Sequence, residues 1–230
     1  VFLKYYNNTY LNVFLDDISK KQYVLLMKDP KSNRIVGFST IALLDLPYNG
    51  KTVEGLFSGD TILEKEYWGS RRWQLTWGLF CIKLKIKYLR TPFFWLLISK
   101  GYKTYMLMAN NFIDYYPRID KEDKDLADVV DSYCNQLYPQ NYIKEQRILD
   151  FGNEYQNLQS HVAEICDNLR ENQPKIRFFE ERNPNWRIGT ELPCIAKIET
   201  KVLWKFIRKL ANEKLNSSNK LNTSDKLQTQ

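Results

Sequence analysis

Apolar positions change their spacing several times along the chain, and each change marks an element. Phe2, Tyr6, Tyr10, Val13 and Phe14 recur at helical intervals, which predicts a helix over residues 1–15, ended by Asp16 and Asp17. Gln22-Tyr-Val-Leu-Leu-Met27 is a compact apolar run, Asp29-Pro-Lys-Ser-Asn33 is turn chemistry, and Arg34 to Ala42 is apolar again. Together they predict an antiparallel hairpin. A second turn at Pro47-Tyr-Asn-Gly50 leads into Lys51 to Leu63, whose start, Thr52 to Phe57, has strand composition.

From Trp68 to Leu89 the apolar side chains fall at 73, 77, 80 and 84 and again at 75, 79, 82 and 86, which makes a broad helical face. The last stretch, Cys81 to Lys87, alternates strictly and fits a strand as well. Length, and the lack of turn residues other than Gly78, favour a helix that Thr91-Pro92 closes. Phe93 to Ile98 reads as a strand buried on both faces, and residues 101–112 as a further helix stopped by Pro117. Then come an acidic, polar run from Asp120 to Asp131 and a helical pattern from Glu154 to Arg170. After the turn at Asn183-Pro-Asn185, a late apolar strand runs from Leu192 to Ile198. Val202 to Leu215 predicts a short basic helix, and residues 216–230 have the composition of a disordered tail. This alternation predicts one α/β domain over residues 1–200, with its core in 20–117 and its completion in 118–200. Helices pack on a central mixed sheet.

With 43% hydrophobic residues among 230, the chain can bury a substantial core, so disorder as the main state is excluded. The net charge of +7 suggests an anionic partner, and its distribution says which kind. Residues 67–113 hold eight basic side chains and no acidic one, residues 114–200 are net acidic, and residues 201–230 are basic. A local anion site in the middle block explains this better than general affinity for polyanions. Cys81, Cys134, Cys166 and Cys194 form no CxxC pair and His161 is the only histidine. Those numbers argue against a zinc site and for structural thiols. His161 has no nucleophile motif around it, so a catalytic role is not expected for it. No apolar stretch approaches the roughly 20 residues of a membrane helix, and no signal peptide is visible, so a cytoplasmic location is expected.

The segment with most chemistry is Phe57 to Trp73, where a strand ends, a loop containing Gly69 follows and a long helix begins. Unpaired amides and the partial positive charge of a helix amino end suit a phosphate, and Arg71 and Arg72 add counter-charge. Solvated arginines on an ordinary connection are the alternative.

This order of elements resembles the GNAT superfamily of N-acyltransferases. Phe57 to Leu63 matches that family's strand before the cofactor loop, Tyr67-Trp-Gly-Ser-Arg-Arg72 the loop, Trp73 to Leu89 the helix, and Phe93 to Ile98 the strand that splays away. Phe57-Ser-Gly-Asp-Thr61, Ile98-Ser-Lys-Gly-Tyr-Lys-Thr-Tyr105 and Ala109-Asn-Asn-Phe-Ile-Asp-Tyr-Tyr-Pro117 also resemble a group of bacterial GNAT-like proteins whose relatives include fatty-acyl transferases. The resemblance implies a mixed, mostly antiparallel sheet with a splayed strand pair, flanked by helices. It implies an acyl donor, acyl-CoA or the phosphopantetheine of an acyl carrier protein, bound by Ile62, Leu63, Trp68, Gly69, Ser70, Arg71, Arg72 and Trp73. The acceptor would be an amine of an amino acid, peptide or small molecule, and no metal is implied.

Acyl transfer from a thioester needs a neutral amine, donors for an oxyanion and a proton for the departing sulfur. Asp60 is the first candidate base and Glu66 the second; Asp60 also suits a turn or cap. Tyr115 and Tyr116 are candidate acids, with Asn111 in the same segment, and packing under Pro117 is their other reading. Trp68, Trp73, Trp77, Phe93, Phe94, Trp95, Tyr102 and Tyr105 suit either an acyl tunnel or an aromatic core, the core being preferred for Phe94 and Leu96. Two further functions stay open: a nucleic-acid binder using Lys83, Lys85, Lys87 and Arg90, and an interaction protein on an inactive acyltransferase fold.

Overall fold

The computed structural model describes residues 5–7, 10–68, 70–153, 155, 157–158, 164–201 and 208. In chain order the elements are β1 (Tyr6–Asn7), α1 (Leu11–Ser19), β2 (Tyr23–Lys28), β3 (Ile35–Tyr48), β4 (Lys51–Leu63), α2 (Arg71–Lys87), β5 (Phe93–Ser99), α3 (Tyr102–Asn111) and β6 (Tyr115–Tyr116). Then follow α4 (Lys124–Leu137), β7 (Tyr142–Ile143), β8 (Ile148–Asp150), β9 (Asn157–Leu158), α5 (Asp167–Asn172), α6 (Pro174–Arg182) and β10 (Thr190–Lys197). A 3-10 turn, Lys65–Tyr67, joins β4 to the approach of α2.

The sheet runs β2-β3-β4-β5-β10-β8-β7, with β6 on the same side of β10 as β8. Every pair is antiparallel except β4 with β5. This is the expected mixed, mostly antiparallel sheet flanked by helices. β5 follows its alternation onto two faces. Phe93, Trp95 and Leu97 pack with α2, α3 and α6 residues such as Cys81, Tyr105 and Phe179, while Phe94 and Leu96 pack with Val130 and Tyr133 of α4. Phe94 and Leu96 are fully buried, as core residues.

Local chemistry fixes the turns. Asp29 Oδ1 accepts from the amides of Lys31 (3.0 Å) and Ser32 (2.8 Å), and Asn33 takes a left-handed φ of 57°, so the β2–β3 turn closes on its own side chains. Asn49 and Gly50, with φ of 50° and 71°, close the β3–β4 hairpin in two residues. The alternating end of α2 is helical, not extended. Lys85 turns inward and donates to the carbonyls of Tyr88 (3.1 Å) and Thr91 (2.7 Å), satisfying acceptors at the helix end.

Three expectations need correction. The helix predicted over 1–15 starts at Leu11 and runs through Asp16 and Asp17 to Ser19, because both carboxylates are supported by lysines one turn on, Lys20 and Lys21. The acidic run hides helix α4. Asp123 caps it, and Leu126, Ala127, Val129, Val130, Tyr133 and Cys134 supply a buried stripe that the charge density masks in the sequence. The single helix predicted from Glu154 to Arg170 is replaced, in its described parts, by strand β9 and the short α5, with Ile165 buried just before the helix. Helix α6, begun by Pro174, had no predicted counterpart. His161, the basic helix apart from Arg208, and the tail lie outside the described residues.

Because Leu96 is completely buried between β4 and α4, Leu96→Ala is expected to lower the unfolding free energy by about 2–5 kcal/mol, measured by urea denaturation.

Candidate functional site

Strands β4 and β5 pair from Glu54↔Phe93 to Ser58↔Leu97 and no further. Beyond that point β3 holds β4 as far as Leu63, and β10 holds β5 as far as Ser99. A gap therefore opens between two parallel strands that are each fixed from the outside. Its origin is local. Thr40 of β3 stands opposite two residues of β4, Gly59 and Asp60, a β-bulge that bends the strand and re-aims its side chains. Only glycine fits at 59, since a Cβ there would lie 2.5 Å from Thr40 Oγ1 and 3.3 Å from Lys21 Cε.

Asp60 is half-buried in the gap. Burial raises its pKa to about 6, Asp17 and Glu191 push the same way, and Lys100 and Lys21 oppose them. Each lysine has its own carboxylate: Lys100 Nζ lies 2.6 Å from Glu191 Oε1, and Lys21 Nζ lies 2.9 Å from Asp17 Oδ1. Glu191 is buried, and burial raises its pKa against the pull of Lys100. Tyr155 covers the Lys100 ammonium at 4.3 Å from its ring centre and stacks on Phe151, which Tyr138 meets edge-on. Two ion pairs and an aromatic ring over Lys100 thus lie around one carboxyl that has no directly bonded cation among the described residues.

The other end of the gap meets the start of α2. Ser70 caps the helix, its Oγ accepting from the amide of Trp73 at 3.5 Å, and no acidic residue occupies the first turn. Trp68 donates its indole N–H to the Leu63 carbonyl (2.9 Å) and lies under Lys103, whose Nζ is 4.6 Å from the ring centre. Partial burial lowers the Lys103 pKa. Arg71 and Arg72 are exposed on the first turn. A seventeen-residue helix carries a partial positive charge here, so this corner is electropositive. Behind it, Trp77 packs on Trp95 at 4.5 Å, and Trp95 donates at 2.9 Å to Oγ of Ser58, the last residue of β4 paired with β5.

The candidate residues therefore separate into groups. Asp60, Ser70, Arg71, Arg72 and Trp68 lie along the gap or at its mouth. Ile62 is buried with Tyr5 and Phe38, Trp73 is buried at the helix start, and Leu63 serves as the Trp68 acceptor. Gly69 lies outside the described residues. Glu66 is exposed on the 3-10 turn and is not among the charges that act most strongly on Asp60.

Tyr115 and Tyr116 are not brought to Asp60. They lie on β6, with β10 and β5 between them and β4, roughly 14 Å away at the usual strand spacing. Their side chains enter opposite core faces, and burial raises both phenols. Tyr116 accepts from Arg147 at 3.4 Å. Asn111 is exposed and donates to the Leu107 carbonyl of its own helix at 2.7 Å. Lys85, assigned to a phosphate-binding face in the nucleic-acid reading, spends its ammonium on the end of α2 instead.

Sequence reasoning missed the Lys100–Glu191 pair. A signal existed: each is a charge of opposite sign at the end of an otherwise apolar strand, Phe93 to Ile98 and Leu192 to Ile198. Among the described residues no cluster of His, Cys, Asp and Glu is placed to hold a metal, and no helix is long and apolar enough to cross a membrane. No known family, curated protein or solved structure shows a significant match to the chain.

Burial of Asp60 makes stability depend on pH in a definite sense. With the folded pKa raised to about 6, its favourable contribution is complete below the unfolded value and is lost as pH rises through about 6. Asp60→Asn removes this loss. The unfolding free energy of Asp60→Asn relative to the parent is expected to rise between pH 4 and pH 6 and then level, by about 2–3 kcal/mol in total. A difference that stays flat across urea titrations at these pH values would contradict the burial of this carboxyl.

Proposed function

We propose that the chain is a GNAT-type N-acyltransferase that moves a medium or long acyl group from a pantetheine thioester to an amine. One observation carries the reading: a parallel strand pair that parts at Ser58 and Leu97, with Asp60 on a bulge inside the gap and a capped, acid-free helix start at its mouth. In this reading the thioester arm enters the gap and continues the hydrogen bonding that β4 and β5 no longer give each other. Its phosphates sit at the start of α2 beside Arg71 and Arg72. Trp68, Trp77 and Phe80, half-buried along the gap and α2, favour an acyl tail, each methylene buried being worth about 0.8 kcal/mol.

The chemistry follows from one carboxyl. The neutral amine attacks the thioester carbonyl, forming the C–N bond and moving the carbonyl pair onto oxygen, where a backbone N–H of β5 beyond Leu97 donates to it. Collapse re-forms the carbonyl and breaks the C–S bond. Asp60 takes the proton released by nitrogen. At a pKa of about 6 its acid form is stronger than an ordinary thiol, so passing that proton to the leaving thiolate is downhill. Tyr115 and Tyr116 are not needed in this scheme.

CoA and an acidic carrier protein both fit the exposed bases Arg71, Arg72, Lys83, Lys87 and Arg90. The four cysteines are free, which supports a reducing, cytoplasmic setting.

Two outcomes are expected. Replacing Arg71 and Arg72 together by Ala should weaken CoA about tenfold at low salt in calorimetry, and the difference should shrink as salt rises. Acyl transfer by the parent should increase with pH through about 6, and Asp60→Asn should slow it by about 10²-fold or more with donor affinity nearly unchanged. Unaltered turnover in Asp60→Asn, measured by thiol release, would exclude this carboxyl as the base.

A further inference from the structure

Helix α2 is apolar on two sides. One is the core side, where Trp73, Cys81 and Leu84 are buried. The other stands in solvent: Leu79 is 54% exposed and Ile86 60%, and Leu89, just past the helix end, is 59% exposed. At 3.6 residues per turn, Arg72, Leu79, Lys83 and Ile86 fall within about 60° of one another around the helix axis, well away from the buried set. Cations and aliphatic side chains therefore alternate along one face, and Leu89 and Arg90 extend it beyond the helix. Arg72, Lys83 and Arg90 are exposed, and none has an ion-pair partner among the described residues.

We propose that this face of α2 seats the protein on an anionic lipid surface, with Leu79, Ile86 and Leu89 in the acyl boundary and Arg72, Lys83 and Arg90 on the head-group phosphates. Charge complementarity selects the occupant, since residues 67–113 contain no acid to oppose an anionic surface. The interleaving narrows it further. A protein helix laid along this line would have to bury Lys83 between Leu79 and Ile86, and Leu75 and Ile82, which would complete its apolar seam, are already half-buried. Lipid imposes no such burial, because long cationic side chains carry their charges back to the phosphates while the aliphatic ones enter.

Two other occupants fit less well. A second copy paired along α2 would set the same cations against each other. A nucleic acid matches the charge but offers nothing to three exposed aliphatic side chains. The role is also separate from the acyltransferase reading: a phosphate held at the start of α2 would lie about 20 Å from Lys83, so the cations at the far end of the helix are not explained by that phosphate.

The test is flotation of the full chain with vesicles. The parent is expected to float with mixed phosphatidylglycerol and phosphatidylcholine vesicles about tenfold more strongly than with phosphatidylcholine alone, and to be released as salt rises. Leu79→Gln with Ile86→Gln, and separately Lys83→Gln with Arg90→Gln, should each weaken that partition by about tenfold or more. All four side chains are exposed, so both double variants should keep the parental thermal melt; where one does not fold, the single Ile86→Gln or Lys83→Gln takes its place. A parent that floats with neither kind of vesicle overturns the proposal. So does binding that survives the loss of the aliphatic pair or of the cationic pair, as it would if charge alone or the basic stretch 201–230 carried it. A parent that ignores vesicles but forms dimers dispersed by Leu79→Gln with Ile86→Gln gives the face to a second copy and overturns it too. No acyl donor enters this assay, so its failure would leave the acyltransferase reading standing, and absent acyl transfer would leave the lipid-facing role of α2 standing.

Discussion

The extra residue in β4 is the constraint on which the site depends. A regular strand would carry its pairing with β5 to the end of both, and the sheet would be closed where the gap now lies. Setting Gly59 and Asp60 against Thr40 alone bends β4 toward β3 and away from β5. The bend needs a residue without a side chain at 59, because the Thr40 hydroxyl and the Lys21 stem already occupy the space. Thr40 Oγ1 is buried with no hydrogen-bond partner among the described residues, a local cost of the arrangement. The same bend puts a carboxyl where burial holds its affinity for a proton near neutrality.

Charge in this molecule is organised by burial more than by count. The acid-free block of residues 67–113 looks from sequence like one basic surface. Its members divide in the structure: Lys85 closes a helix, Lys100 neutralises a glutamate from another strand, Lys103 lies over Trp68, and Arg71, Arg72, Lys83, Lys87 and Arg90 face solvent. A count of net charge cannot separate these uses, because the acid that pairs with Lys100 comes from far along the chain. Glu191 is that acid, and no window around Lys100 contains it.

Strands β2 to β5 and β10 were legible because they follow simple rules of composition, whereas the short β6, β7 and β8 had no predicted counterpart. Phe93 to Ile98, apolar at every position, could only be buried on both faces, and the two hairpins announced their turns through Asp29-Pro30 and Asn49-Gly50. Elements with mixed signals were not legible. In α4, Asp123, Asp125 and Asp128 lie among the residues that build a core face, and only three-dimensional packing shows that their spacing leaves the apolar stripe intact. The bulge itself has no sequence signature beyond the dipeptide Gly59-Asp60, which reads equally well as a turn. For the same reason Tyr115 and Tyr116 looked available: nothing in their own segment reveals that β10 comes to lie between them and β5.

The place of β10 has a consequence for how the chain reaches this state. It is a central strand of the sheet, bonded to β5 on one side and to β6 and β8 on the other, yet it is encoded after all of them. During synthesis β2 to β5 can assemble while the free edge of β5, lined by Phe93 to Ser99, waits for residues 190–197 to emerge. Closure of the core is thus a late, long-range event, and the half-made sheet carries an apolar edge open to foreign strands. Chaperone protection of nascent chains would matter most for this protein in the interval between the completion of β5 and the arrival of β10.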